Sequence, residues 1–96
     1  MIERIMLLRL AENIRRDAVA ERIRRSLDGL PGLESLSVGV PADATSAKSW
    51  DVSVIMGFRD LGSLEAGVAA EPYQALMERE LADSCQVVKA WSFARV

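Results

Sequence analysis

The chain has no histidine, one cysteine and three prolines. Without histidine it lacks the side chain most used for proton transfer near neutral pH, which is also the commonest metal ligand. The lone Cys85 excludes a disulfide framework within the chain, and a free thiol suits a reducing compartment. Aromatic residues make up 5% of the sequence and the net charge is −2, so neither base-stacking platforms nor a basic excess marks a nucleic-acid binder. The six glycines are dispersed and no GxGxxG run cradles a phosphate. The N-terminal apolar run is interrupted at Arg9, too early for a membrane span or a secretory leader. The expectation is therefore a cytoplasmic protein with no metal, no cofactor, no nucleic acid and no membrane among its partners.

What is present is apolar patterning. Half of the 96 residues are hydrophobic, which is high for one small domain spanning residues 1–96. A chain this short hides only about two-thirds of its unfolded surface, so excess apolar sequence suggests a core completed by a second subunit. The most telling stretch is Trp50–Phe58, WDVSVIMGF. Trp50, Val52, Val54, Met56 and Phe58 fall on one side of an extended strand, and only Ile55 is large and apolar on the other. Such a strand belongs in the centre of a sheet.

Around it, Ile2–Leu10 reads as a first strand with apolar residues on both faces. A helix is expected from about Ile14 to Asp28, with Asn13 as its N-cap and Val19, Ile23, Leu27 and Leu30 as its apolar stripe. Its arginines form a solvated face beside Asp17 and Glu21, and Gly29 and Pro31-Gly32 stop it. Leu33–Val40 is a second strand and Pro41–Ser49 a polar loop. After the third strand, Asp60 caps a weaker helix carrying Leu61, Leu64 and Val68. Glu71-Pro72 breaks it, and a further helix buries Tyr73, Leu76, Met77 and Leu81. Gln86–Val96 is the last strand.

The order β-α-β-β-α-β predicts an α+β, ferredoxin-like fold: an antiparallel sheet with the first and third strands central and helices on one face. The other face is then bare. Met6, Leu8, Val52, Val54, Met56 and Val88 are assigned to it as a dimer interface and barrel lining, since a contiguous apolar face on a small domain is usually an interface.

The opening MIERIMLLRL, the LPGLESLSVG turn and strand, WDVSVIMGFRDLGSLEA, the Glu71-Pro72 break and the closing VVKAWSF together resemble the stress-responsive α/β-barrel (Dabb) family over nearly the whole chain. The resemblance implies a homodimer, two sheets packing face to face into a dimeric α+β barrel. A few members are enzymes, among them a plant polyketide cyclase that uses histidine, tyrosine and a carboxylate in its cavity. Carried over by position, this chain departs at each: Arg4 and Val52 stand at strand histidines, Val68 at the tyrosine, Gln74 at the catalytic histidine and Ser92 at an aspartate. No catalytic residue is therefore assigned.

Arg4 is the leading ligand-binding candidate, because a charge facing a cavity needs a partner or an anion. The plainer alternative is an arginine near a strand end that reaches water or an acidic residue. Gln74, Ser92 and Tyr73 are candidate neutral hydrogen-bonding partners; the plainer reading is capping or packing for Gln74 and Ser92, and a half-buried ring with its hydroxyl in solvent for Tyr73. Trp50 and Trp91 read as core or interface anchors, and Cys85 has no basic neighbour in sequence to activate its thiol. The expectation is a homodimeric barrel of unassigned biochemical role that binds a small apolar or anionic molecule in its cavity. The alternative is a cyclase-like lyase or cofactor-free monooxygenase working without histidines.

Overall fold

A computed structural model describes residues 1–96. The elements are β1 (Ile2–Leu10), α1 (Arg16–Leu27), β2 (Leu33–Gly39), α2 (Ala44–Ser49), β3 (Val52–Phe58), α3 (Leu61–Ala69), α4 (Glu71–Ala75), a π-helical turn (Leu76–Glu80), α5 (Leu81–Ser84) and β4 (Cys85–Ala94). One antiparallel sheet has the order β2-β3-β1-β4, so β1 and β3 are its central strands. The α+β, ferredoxin-like arrangement expected from the sequence is the one observed.

Local chemistry explains most element ends. Asp60 caps α3 by accepting from the Ser63 N–H at 2.8 Å. Gly29 and Gly32 have φ of 80° and 78°, a backbone region that glycine enters without strain, and they turn the chain after α1. Asn13 does not cap α1; it takes a turn with φ of 66°, and the helix starts at Arg16 with no side-chain cap. Pro41–Ser49 is not wholly a loop either. Asp43 accepts from the Ser46 N–H at 2.8 Å and so nucleates the short α2. The π turn has a packing reason: Leu76 and Leu81 are five residues apart, and the Leu81 N–H bonds the Leu76 carbonyl. The wider turn brings both leucines into the core, where they are 1% and 2% exposed.

The core lies between the sheet and the helices. Met6, Leu8, Leu10, Val52, Val54, Met56 and Phe58 from the central strands meet Val19, Ile23 and Leu27 of α1 and Leu64, Tyr73, Leu76 and Leu81 from the later helices. Gly67 lets α3 lie close on β3, since a Cβ there would stand 2.8 Å from the Phe58 ring.

This placement corrects the expected interface. Met6, Leu8, Val52, Val54 and Met56 are at most 1% exposed in the single chain, and Val88 packs partly buried against the same core. They sit beneath the helices and cannot form the uncovered face. Cross-strand pairing gives the physical reason: Leu36 and Val38 of β2 stand opposite Met56 and Val54. Since β2 is apolar on that side only, that side must be the one the helices cover. The uncovered face instead carries Ile5, Leu7, Ile55, Val87, Trp91 and Phe93, with Ile55 paired to Ile5 and Ile5 to Trp91. Trp91 is 46% and Phe93 55% exposed there.

One polar knot joins β1, α1, α2 and β3. Asp51 accepts from Arg16 Nη2 at 2.7 Å and from the Leu10 N–H at 2.8 Å, with Arg9 Nη1 at 4.0 Å. Arg9 also donates to the Ala47 carbonyl of α2 at 3.0 Å. Burial pushes the Asp51 carboxyl up, but the Arg16 and Leu10 hydrogen bonds and the two arginine charges outweigh it and hold it below the ordinary value. A folded-state pKa below the unfolded one, about 3.9, contributes stability that is complete at neutral pH and lost as pH falls through the folded value. Asp51→Asn is expected to cost about 1–3 kcal/mol at neutral pH. In urea unfolding it should also lose stability less steeply than the native chain below about pH 4; parallel pH profiles would contradict this role.

Candidate functional site

Three of the four ligand-binding candidates come together. Arg4 and Ser92 stand directly opposite each other on β1 and β4, so their side chains share the helix-facing side. Tyr73 descends from the first turn of α4 and is 3% exposed. Arg4 Nε donates to the Tyr73 hydroxyl at 3.1 Å, and Arg4 Nη1 donates to Ser92 Oγ at 3.1 Å. The Tyr73 hydroxyl in turn points its hydrogen at the Met6 sulfur, 3.8 Å away. The guanidinium carbon lies 5.7 Å from the Tyr73 ring centroid, within cation–π range.

The partners of Arg4 are thus neutral. Every ion pair of the chain runs elsewhere, and no carboxylate lies within salt-bridge distance of Arg4. Its Nη2 group bonds no protein acceptor. The arginine is half-buried at the β4 edge, where its charge stays partly hydrated and its remaining N–H groups can meet an anion.

Gln74 is not part of this cluster. Its Nε2 donates to the Val68 carbonyl at 2.7 Å and so ties the end of α3 to the start of α4. Cys85 opens β4, half-buried; burial and the Asp51 charge push its thiol up, away from the reactive thiolate. No group of acidic or cysteine side chains is placed to hold a metal ion, and no helix is long and apolar enough to cross a membrane.

The space between sheet and helices is filled, and neither open cavity touches Arg4, Tyr73, Gln74 or Ser92. One, of about 380 Å³, is a polar groove around Arg9, Asp51 and Gln86. The other, of about 270 Å³, lies beneath α2 and has Trp50 in its wall. The sequence reading missed this second cavity because it took Pro41–Ser49 as an open loop. The signal was the capping pair Asp43 and Ser46, three residues apart.

The fold and the neutral-partnered arginine define a ferredoxin-like α+β protein without the histidine machinery of a cyclase. The sequence matches the Stress responsive A/B Barrel Domain family over residues 2–93, and the chain belongs to that family. Its fold is that of a Dabb family protein from Mesorhizobium loti (TM-score 0.81, 9% identity, covering 99% of this chain and 96% of that one). It is also similar to a dimeric ferredoxin-like protein of unknown function from Thermobifida fusca (TM-score 0.77, 20% identity, covering 98% and 90%). A third likeness is to a dimeric ferredoxin-like protein of unknown function from Bacteroides fragilis (TM-score 0.78, 14% identity, covering 98% and 95%). No curated protein matches the sequence.

Tyr73→Phe removes the hydroxyl that accepts from Arg4 and leaves a charged donor with fewer partners. Urea unfolding should show a loss of about 1–2 kcal/mol. An unchanged midpoint would mean that water replaces the phenol at no cost.

Proposed function

We propose that the chain acts as a homodimer, two copies closing their uncovered sheet faces into a barrel, and that it binds a small anion and does not transform it. The observation that carries the dimer is the uncovered face itself: Ile5, Leu7, Ile55, Val87, Trp91 and Phe93 form one apolar surface across β3, β1 and β4. A connected apolar surface that includes two exposed aromatics is characteristic of an interface. The dimeric ferredoxin-like proteins to which the chain is similar support the same reading. The free thiol of Cys85 suits a cytoplasmic setting.

The anion reading rests on Arg4. Tyr73 and Ser92 fix the guanidinium from two sides without neutralising it, which pre-orients its free N–H groups for a carboxylate or a phosphate. None of the three supplies a general base near neutral pH, so recognition is the chemistry this cluster offers.

The two parts separate experimentally. Ile55→Lys puts a charge on the uncovered face and should yield a folded monomer in sedimentation, whereas Met56→Lys buries one in the core and should unfold the chain. A native chain that sediments as a monomer at micromolar concentration would refute the dimer. For the anion, benzoate titrated by calorimetry should bind the native protein, and Arg4→Met should weaken it about tenfold or more. Equal affinity in both would remove Arg4 from the site.

A further inference from the structure

We infer that the cavity beneath α2 is a binding site for a small, uncharged ring compound carrying a hydrogen-bonding oxygen. The cavity measures about 270 Å³, just under the roughly 300–1,000 Å³ of pockets for drug-sized ligands, which restricts the occupant to one ring or a small fused pair. Its walls are Leu7, Val40, Pro41 and Trp50, and no charged side chain lines it. An ion would find no counter-charge there, while an aromatic or alicyclic ring gains contact with the Trp50 indole and the aliphatic walls.

Two hydroxyls supply the polar element. Ser49 and Ser53 line the cavity, and neither hydroxyl is held by a hydrogen bond to another protein group. Ser46 also lines the cavity, and its N–H is the one that bonds Asp43. A few placed hydroxyls in an apolar cleft orient a ligand that carries its own donor or acceptor.

The cavity is built before any ligand arrives. Gly39 keeps it open, because even a Cβ there would stand 3.2 Å from Ser53 Oγ, and a longer side chain would fill the mouth. The roof is fixed by the Asp43 cap, by the bond from the Trp50 N–H to the Ser46 carbonyl at 3.0 Å, and by Arg9 on the Ala47 carbonyl at 3.0 Å. A roof tied at three points loses little freedom on binding. Leu7 and Ser53 stand on the uncovered sheet face, so the cavity opens on the surface that the proposed dimer closes, at the β2 side and away from the Arg4 cluster; it does not depend on the anion reading.

The probe is phenol, followed through the Trp50 indole N–H resonance in a Trp91→Phe background, which leaves Trp50 as the one tryptophan of the two. A saturable shift is expected. Ser53→Ala should weaken binding by up to about tenfold, and Gly39→Leu should abolish it with the fold retained by circular dichroism. If Gly39→Leu fails to fold, Ser49→Leu plugs the cavity from the exposed end of α2. Arg4→Met should leave phenol binding unchanged, which keeps this test apart from that of the anion site. The inference is overturned if phenol produces no saturable shift, if the plugged variant binds as well as the native chain, or if benzoate shifts Trp50 with the same affinity as phenol.

Discussion

The sheet is apolar on both faces, and the chain has helices enough to cover only one. Everything else follows from how that imbalance is resolved. The helices take the side where all four strands offer apolar groups in register: Leu36 and Val38 beside Met56 and Val54, then Met6 and Leu8, then Val88. Packing that side completely produces a core in which Met6, Val54, Met56 and Phe58 are fully buried. The opposite side is mixed. Ile5, Leu7, Ile55, Trp91 and Phe93 share it with Ser35, Ser37, Ser53 and Lys89. It is too apolar to be ordinary surface and too interrupted to be a second core, which is the composition of a protein interface.

Polar residues decide where the layers meet. Asp51 stands where β1 ends and β3 begins, and its contacts reach the start of α1. Arg9, bonded to α2 and close to Asp51, extends the knot to the roof of the Trp50 cavity. The cavity therefore depends on a charge network outside it. At the other end of the sheet Arg4 plays a different part. Its neighbours are a phenol and a serine, so its charge is positioned and not cancelled. One arginine is structural because it neighbours a carboxylate, and the other is available because it does not.

Membership of the Dabb family describes the scaffold more than the chemistry. Where the resembling cyclase carries histidines, this chain has Arg4, Val52 and Gln74. The structure gives two of these a definite use. Val52 is core, and Gln74 fastens α3 to α4 through the Val68 carbonyl. Val52 and Gln74 thus serve packing and capping here, and Arg4 is held by hydrogen bonds to Tyr73 and Ser92.

The order of strands and helices was legible in the sequence, because strand and helix periods are local and the glycines and prolines that punctuate them act locally too. The central position of Trp50–Phe58 was legible for the same reason: its Val52, Val54 and Met56 were too apolar for an edge. That one arginine would lack a carboxylate partner could be posed from Arg4 alone, but Tyr73 lies 69 residues further along, and only folding brings its hydroxyl to the guanidinium. The direction each strand face points was settled by tertiary structure. A period of two divides a strand into two sets and says nothing about which set meets the helices; the cross-strand partners Leu36 and Val38 decide that. The cavity under α2 needed the tertiary structure as well, since a void is made by what several segments fail to fill, and no single segment carries that information.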